Sequence, residues 1–76
     1  MEQNQVVLSS SEALKKVYEI LQRGGYDPVA QIAGYLITED PTYITNVENA
    51  RVLVRNIDRD EMIKELILHY VGEKNS

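Results

Sequence analysis

Apolar positions recur along this chain at helical spacing, and polar residues of the right kind bracket each run. In "SSSEALKKVYEILQRGG", Leu14, Val17, Tyr18 and Leu21 fall at i, i+3, i+4 and i+7, an apolar stripe on one face. Ser9 stands before the run and Glu12 three residues later. In that pattern the serine oxygen accepts from a first-turn N–H while the glutamate reaches back. Gly24 or Gly25 supplies the left-handed residue that closes the last turn. Asp27 and Pro28 open a second helix, with a capping carboxylate and then a proline at a position that needs no N–H. Its stripe is Val29, Ile32, Ala33 and Leu36. Gly34 lies inside it at a cost of about 1 kcal/mol against alanine, which a close helix crossing would explain.

"TEDP" ends the second helix, because a residue before proline avoids the helical region, and "PTYIT" has room for one short turn. Asn46 is placed to cap a third helix carrying Val47, Ala50, Leu53, Val54 and Ile57 on one face. Asp58 and Glu61 form a second capping pair, and Met62, Ile63, Leu66, Ile67, Tyr70 and Val71 are the inward face of a fourth helix closed by Gly72. With no strand signal, the pattern predicts an all-α fold, a compact bundle of four helices plus one short helical turn. The single helical domain covers 9–72, between a flexible N-terminal tail, 1–8, whose Val6, Val7 and Leu8 dock as it ends, and a C-terminal tail, 73–76.

Size changes this picture in one respect. A chain of 76 residues buries only roughly 60% of its unfolded surface. This one has neither tryptophan nor phenylalanine to add bulk, so burial against a second copy is expected and a homodimer is predicted. The absence of cysteine excludes disulfides and thiolate metal sites and is compatible with a reducing compartment. The polar start "MEQNQVVLSS" lacks the regions of a signal peptide, and no long apolar run predicts membrane insertion, so a cytoplasmic protein is expected.

Little in the chain points to catalysis. The lone histidine, His69, has no evident nucleophile beside it and suits the C-terminal end of a helix dipole. Asp58, Asp60 and Glu61 are accounted for as caps and first-turn acids, and no calcium-loop pattern surrounds them. The glycines match neither a phosphate loop nor a dinucleotide fingerprint. The prediction is therefore a non-enzymatic protein with no cofactor and no metal. Arg51 and Arg55 share a helical face, with Arg59 just beyond. They suit a phosphate or carboxylate on a partner, or simply a solvated face in which Glu48 pairs with Arg51. A small nucleic-acid-associated module using these arginines is the alternative reading. The net charge of −4 and the acidic helix after "RNID" argue against it. Tyr26, Tyr35 and Tyr43 suit either a binding rim or a half-buried core edge. Ser9, Ser10, Ser11, Thr38, Thr42 and Thr45 are hydroxyls open to phosphorylation at or near helix starts and ends.

The stretch "GYDPVAQIAGYLITEDPTYITNVENARVLVRNIDRDEMIKELILHYV" resembles the IreB family of small bacterial regulatory phosphoproteins. Its members carry a similar G-Y-[ND]-P-x-x-Q-I-x-G-Y, then D-P-x-Y-I-T, N-A-R and R-D-E, so that the resemblance runs from Tyr18 to Val71. It implies a helical fold that dimerises and a non-enzymatic role in the cytoplasm of low-GC Gram-positive bacteria. There such a protein is a substrate of a PASTA-domain serine/threonine kinase and helps regulate envelope stress and cephalosporin-type antibiotic resistance. Within the shared motif, the exposed members of Gln31, Tyr35, Tyr43, Asn49 and Arg51 are the candidate contacts for a protein partner yet to be identified, with Arg55 and Arg59 beside them. One departure matters: family members resembling this chain carry their phosphoacceptor threonine in the N-terminal tail, whereas the first threonine here is Thr38. Either regulation by phosphate is lost in this member, or Ser9, Ser10 or Ser11 has taken the role.

Overall fold

A computed structural model describes residues 9–72; the predicted tails at 1–8 and 73–76, and the expected docking of Val6 to Leu8, lie outside the described residues. Four α-helices and one 3-10 turn follow in order: α1 (Ser10–Arg23), α2 (Pro28–Thr38), the turn Pro41–Tyr43, α3 (Ala50–Arg55) and α4 (Arg59–Val71). The predicted all-α class and element count therefore hold.

Local chemistry sets most of the boundaries. Ser9 Oγ accepts from Glu12 N at 3.1 Å while Ser9 N donates to Glu12 Oε1 at 3.1 Å, so the capping box is complete. Gly25 (φ 85°), not Gly24, is the left-handed residue after α1. Asp27 caps α2 through Ala30 N, and Glu39 (φ 62°) ends it in the left-handed conformation before Asp40 and Pro41 start the turn.

α1 packs on both α2 and α3, and the 3-10 turn lies against α2 and α3. The core is Ala13, Val17, Ile20 and Leu21 from α1, Ile32 and Tyr35 from α2, then Ile44, Ala50, Val54, Ile57 and Met62. Sequence phase was read about one position off in α1. Ala13 and Ile20 are buried, whereas Leu14 is only partly covered and Tyr18 is exposed, because α1 is clasped on two sides by α2 and α3. In α2 the predicted inward Val29 is 63% exposed and Tyr35 takes its place in the core.

The third helix starts later than its sequence suggests. Asn46 does not cap it; the N-cap is Asn49, at φ 63° and with no side-chain capping bond. Glu48 and Asn49 are both left-handed, since burial of Ile44 and the bonds that hold Thr45 fold the intervening chain into turns. Val47 still packs against the core from that turn.

The larger correction concerns α4. Of its six predicted inward residues only Met62 is buried and Ile63 is partly covered; Leu66, Ile67, Tyr70 and Val71 are exposed, Tyr70 to 94%. Asp58 caps the helix by accepting from Glu61 N at 3.1 Å. Its own N–H donates to Ser10 Oγ at 2.9 Å instead of to Glu61, so the reciprocal half of the predicted pair is replaced by a link to α1. Arg59 adds an ion pair to Glu39 at 3.1 Å. The first turn of α4 is thus fastened to α1 and to the end of α2, and the remaining turns extend away from the core.

Candidate functional site

The residues shared with the sequence motif converge on the 3-10 turn, where most are spent on the fold itself. Gln31 clamps Thr45 with both ends of its amide: Nε2 donates to Thr45 Oγ1 at 2.9 Å and Oε1 accepts from Thr45 N at 2.8 Å. An amide with a donor and an acceptor is the side chain that can hold a hydroxyl and a backbone N–H at once. Arg51 Nε donates to the carbonyl of Ile44 at 2.8 Å, so its guanidinium ties α3 to the residue that anchors the turn in the core. Asp40 accepts from Thr42 N at 3.0 Å and from Thr42 Oγ1 at 2.7 Å. The Thr42 hydroxyl first, and then its backbone N–H, hold the Asp40 carboxyl below its ordinary pKa.

Gly34 is explained here, though not by a helix crossing. A methyl group on Gly34 would come within 2.5 Å of Tyr43 Cδ1, so the tyrosine ring rests against the bare backbone of α2. Tyr43 keeps half its surface in solvent, whereas Tyr35 is a core residue. Of the predicted contact residues, Gln31, Tyr43 and Arg51 are therefore brought together around the turn, Tyr35 is withdrawn from the surface, and Asn49 is exposed at the start of α3.

The arginines do not form a common face. Arg51 is turned to Ile44, Arg59 is partly buried against Glu39 with its Nε lacking a hydrogen-bond partner, and Arg55 is exposed. The expected Glu48–Arg51 pair is replaced by Glu48 with Arg23 at 3.2 Å, an exposed ion pair worth at most about 1 kcal/mol. Two of the three guanidinium groups that a phosphate would need already serve the fold.

The three candidate serines occupy different positions in the network. Ser9 is the α1 cap, Ser10 receives the Asp58 N–H and so joins two helix starts, and Ser11 is exposed. His69 is exposed in the last turn of α4. Among the described residues, no group of three or more histidine and acidic side chains is placed to hold a metal ion, and no helix is long and apolar enough to cross a membrane.

What the sequence reading missed as a surface is α4. At about 100° per residue, its apolar positions from Met62 to Val71 spread over roughly two-thirds of the circumference, wider than a small core can cover. That width was the available signal. One edge of the stripe faces α1 across a cleft of about 480 Å³ whose apolar lining is Leu14, Met62 and Leu66. The other edge, Ile63, Ile67, Tyr70 and Val71, lines a shallower depression on the outside.

Residues 1–72 match the family model described as IreB regulatory phosphoprotein.

Proposed function

The chain belongs to the IreB family, and from that membership we propose that it is a non-enzymatic cytoplasmic regulator that acts by binding proteins, itself included. The observation that carries the binding role is the outer edge of α4, where Ile67 is 56% and Tyr70 94% exposed beside Val71 on a helix whose buried residue, Met62, lies in its first turn. A second copy of the chain is the first occupant we assign to that edge. Two such stripes brought together would supply the apolar burial that one small core lacks. The regulated input is phosphorylation by a serine/threonine kinase of the PASTA-domain class, and the output is control of envelope stress and cephalosporin-type resistance in a Gram-positive cell, as the family resemblance implies.

Within the serine cluster, Ser10 is the acceptor whose modification would reach beyond α1. Its oxygen takes the Asp58 N–H, and Glu61 lines the same cleft, so a phosphate there would meet acidic neighbours at the α1–α4 junction. Two measurements test the proposal. Analytical ultracentrifugation of the native chain should give a dimer, and Ile67→Glu with Tyr70→Glu should give a monomer of unchanged helix content. A native chain that stays monomeric at high concentration would remove the self-association. Intact-mass analysis after incubation with ATP and the kinase domain should place phosphate within Ser9–Ser11 and lose it when these are alanine. An unmodified chain beside an autophosphorylated kinase would remove the input.

A further inference from the structure

The cleft between α1 and α4 has an apolar floor and an acidic edge. Leu14 of α1 lines it together with Met62 and Leu66 of α4, and Glu61, Glu65 and His69 follow one another along its α4 side. We propose that this cleft is the docking site for a basic amphipathic helix of a partner protein. The inference rests on the reading of the chain as a regulator that binds proteins, and it names the chemistry of a second partner beside the second copy. Leu66 borders both the cleft and the outer depression, so the two surfaces meet along α4 while their occupants differ.

Spacing and charge select that occupant. A groove between two helices seats the apolar face of a third, whose anchors recur at i, i+3, i+4 and i+7. Glu61 and Glu65 stand one turn apart on one face of α4, a rise of about 6 Å. Lysines or arginines one turn apart on the incoming helix match that rise, and the apolar stripe beside them meets Leu14, Met62 and Leu66. Among the described residues, no lysine or arginine lines the cleft to oppose them. The two such side chains of α4 are engaged elsewhere, Lys64 with Asp60 at 3.2 Å and Arg59 with Glu39 at 3.1 Å. Charge also separates this occupant from a second copy. The chain carries a net charge of −4, and a copy seated in the cleft by its own α4 would set acidic side chains against an acidic edge.

The probe is a short helical peptide of leucine and lysine, with leucine at i, i+3, i+4 and i+7, titrated into the isotope-labelled full chain. Amide shifts should concentrate at Leu14, Met62, Leu66 and His69, and a peptide with glutamate in place of lysine should cause none there. Glu61→Gln with Glu65→Gln removes two exposed charge pairs and should raise the half-saturation concentration about two- to thirty-fold. Glu61→Lys with Glu65→Lys should reverse the preference, so that the glutamate peptide binds and the lysine peptide does not. Shifts scattered over acidic residues away from the cleft, or unchanged affinity in the glutamine pair, would overturn the proposal in favour of general charge attraction. An absence of shifts with the lysine peptide would overturn it outright. Sedimentation of the native chain alone reports self-association, so that reading and this one can fail separately.

Discussion

Replacing Gly34 by alanine sets two effects of opposite sign against each other, and the structure says which wins. Alanine is favoured over glycine in a helix interior by about 1 kcal/mol, so helix propensity alone predicts a more stable protein. The new methyl, however, would stand 2.5 Å from Tyr43 Cδ1, 3.1 Å from Cγ and 3.2 Å from Cε1. Rotating the ring about its Cβ–Cγ bond moves Cδ1 but not Cγ, which stays at 3.1 Å, tighter than an ordinary contact. The whole tyrosine must lift, and it sits in a turn held by the Asp40 carboxylate and by Ile44 in the core. Overpacking of this sort costs about 1–3 kcal/mol, which leaves Gly34→Ala destabilising by roughly 0–2 kcal/mol net. In a Tyr43→Ala background the clash is gone and only the propensity gain of about 1 kcal/mol remains, so the sign of the same substitution should reverse. Urea denaturation of the four proteins of the cycle measures this, with the midpoint shifting while the slope stays fixed. In a domain of this size 1 kcal/mol corresponds to about 4–8 °C in Tm, well within reach of calorimetry. Equal stabilisation by Gly34→Ala in both backgrounds would refute the contact between the ring and the helix backbone.

Other outcomes follow from individual contacts. Gln31→Ala removes both bonds to Thr45 and strands a part-buried N–H, and should cost about 1–3 kcal/mol in urea denaturation with faster amide exchange at Thr45; unchanged exchange there would count against the clamp. Ser9→Ala should lose about 1 kcal/mol through the α1 cap, and Ser9→Asp should restore most of it, since aspartate also accepts from the Glu12 N–H; a loss common to both variants would point to something other than capping. Asp40 has its folded pKa depressed, so its contribution is present above the unfolded pKa of about 3.9 and is lost as pH falls through the lower folded value. An NMR titration should place its midpoint below that of an unfolded peptide, and Thr42→Val should move it upward; an unmoved midpoint would show that the threonine hydroxyl is not the main cause.

Much of the fold was legible because its punctuation is local. The capping box at Ser9 and Glu12, the Asp27–Pro28 start, the proline-terminated second helix and Gly72 at the end of α4 each depend on a few adjacent residues satisfying backbone groups in one turn, and each was placed correctly from sequence. The motif that identified the family was also readable, but its meaning was not. Gln31, Arg51 and Tyr35 look like contact residues in sequence, and only the fold shows Gln31 on Thr45, Arg51 on Ile44 and Tyr35 in the core. Gln31 and Arg51 reach partners 14 and 7 positions away that lie outside their own helices, where no helical period applies.

Sequence by itself determined which residues can form helices, where most of those helices begin and end, and that their apolar stripes exceed what one small core needs. Tertiary structure alone decided which stripe goes without cover. An amphipathic period specifies that a face must be buried but not against what, and the choice rests on competition among faces for a limited interior. Here α1 is held between α2 and α3, Ile44 enters the core just after the Pro41–Tyr43 turn, and α4, fastened at its first turn through Asp58, Arg59 and Met62, is left with Leu66, Ile67, Leu68, Tyr70 and Val71 exposed.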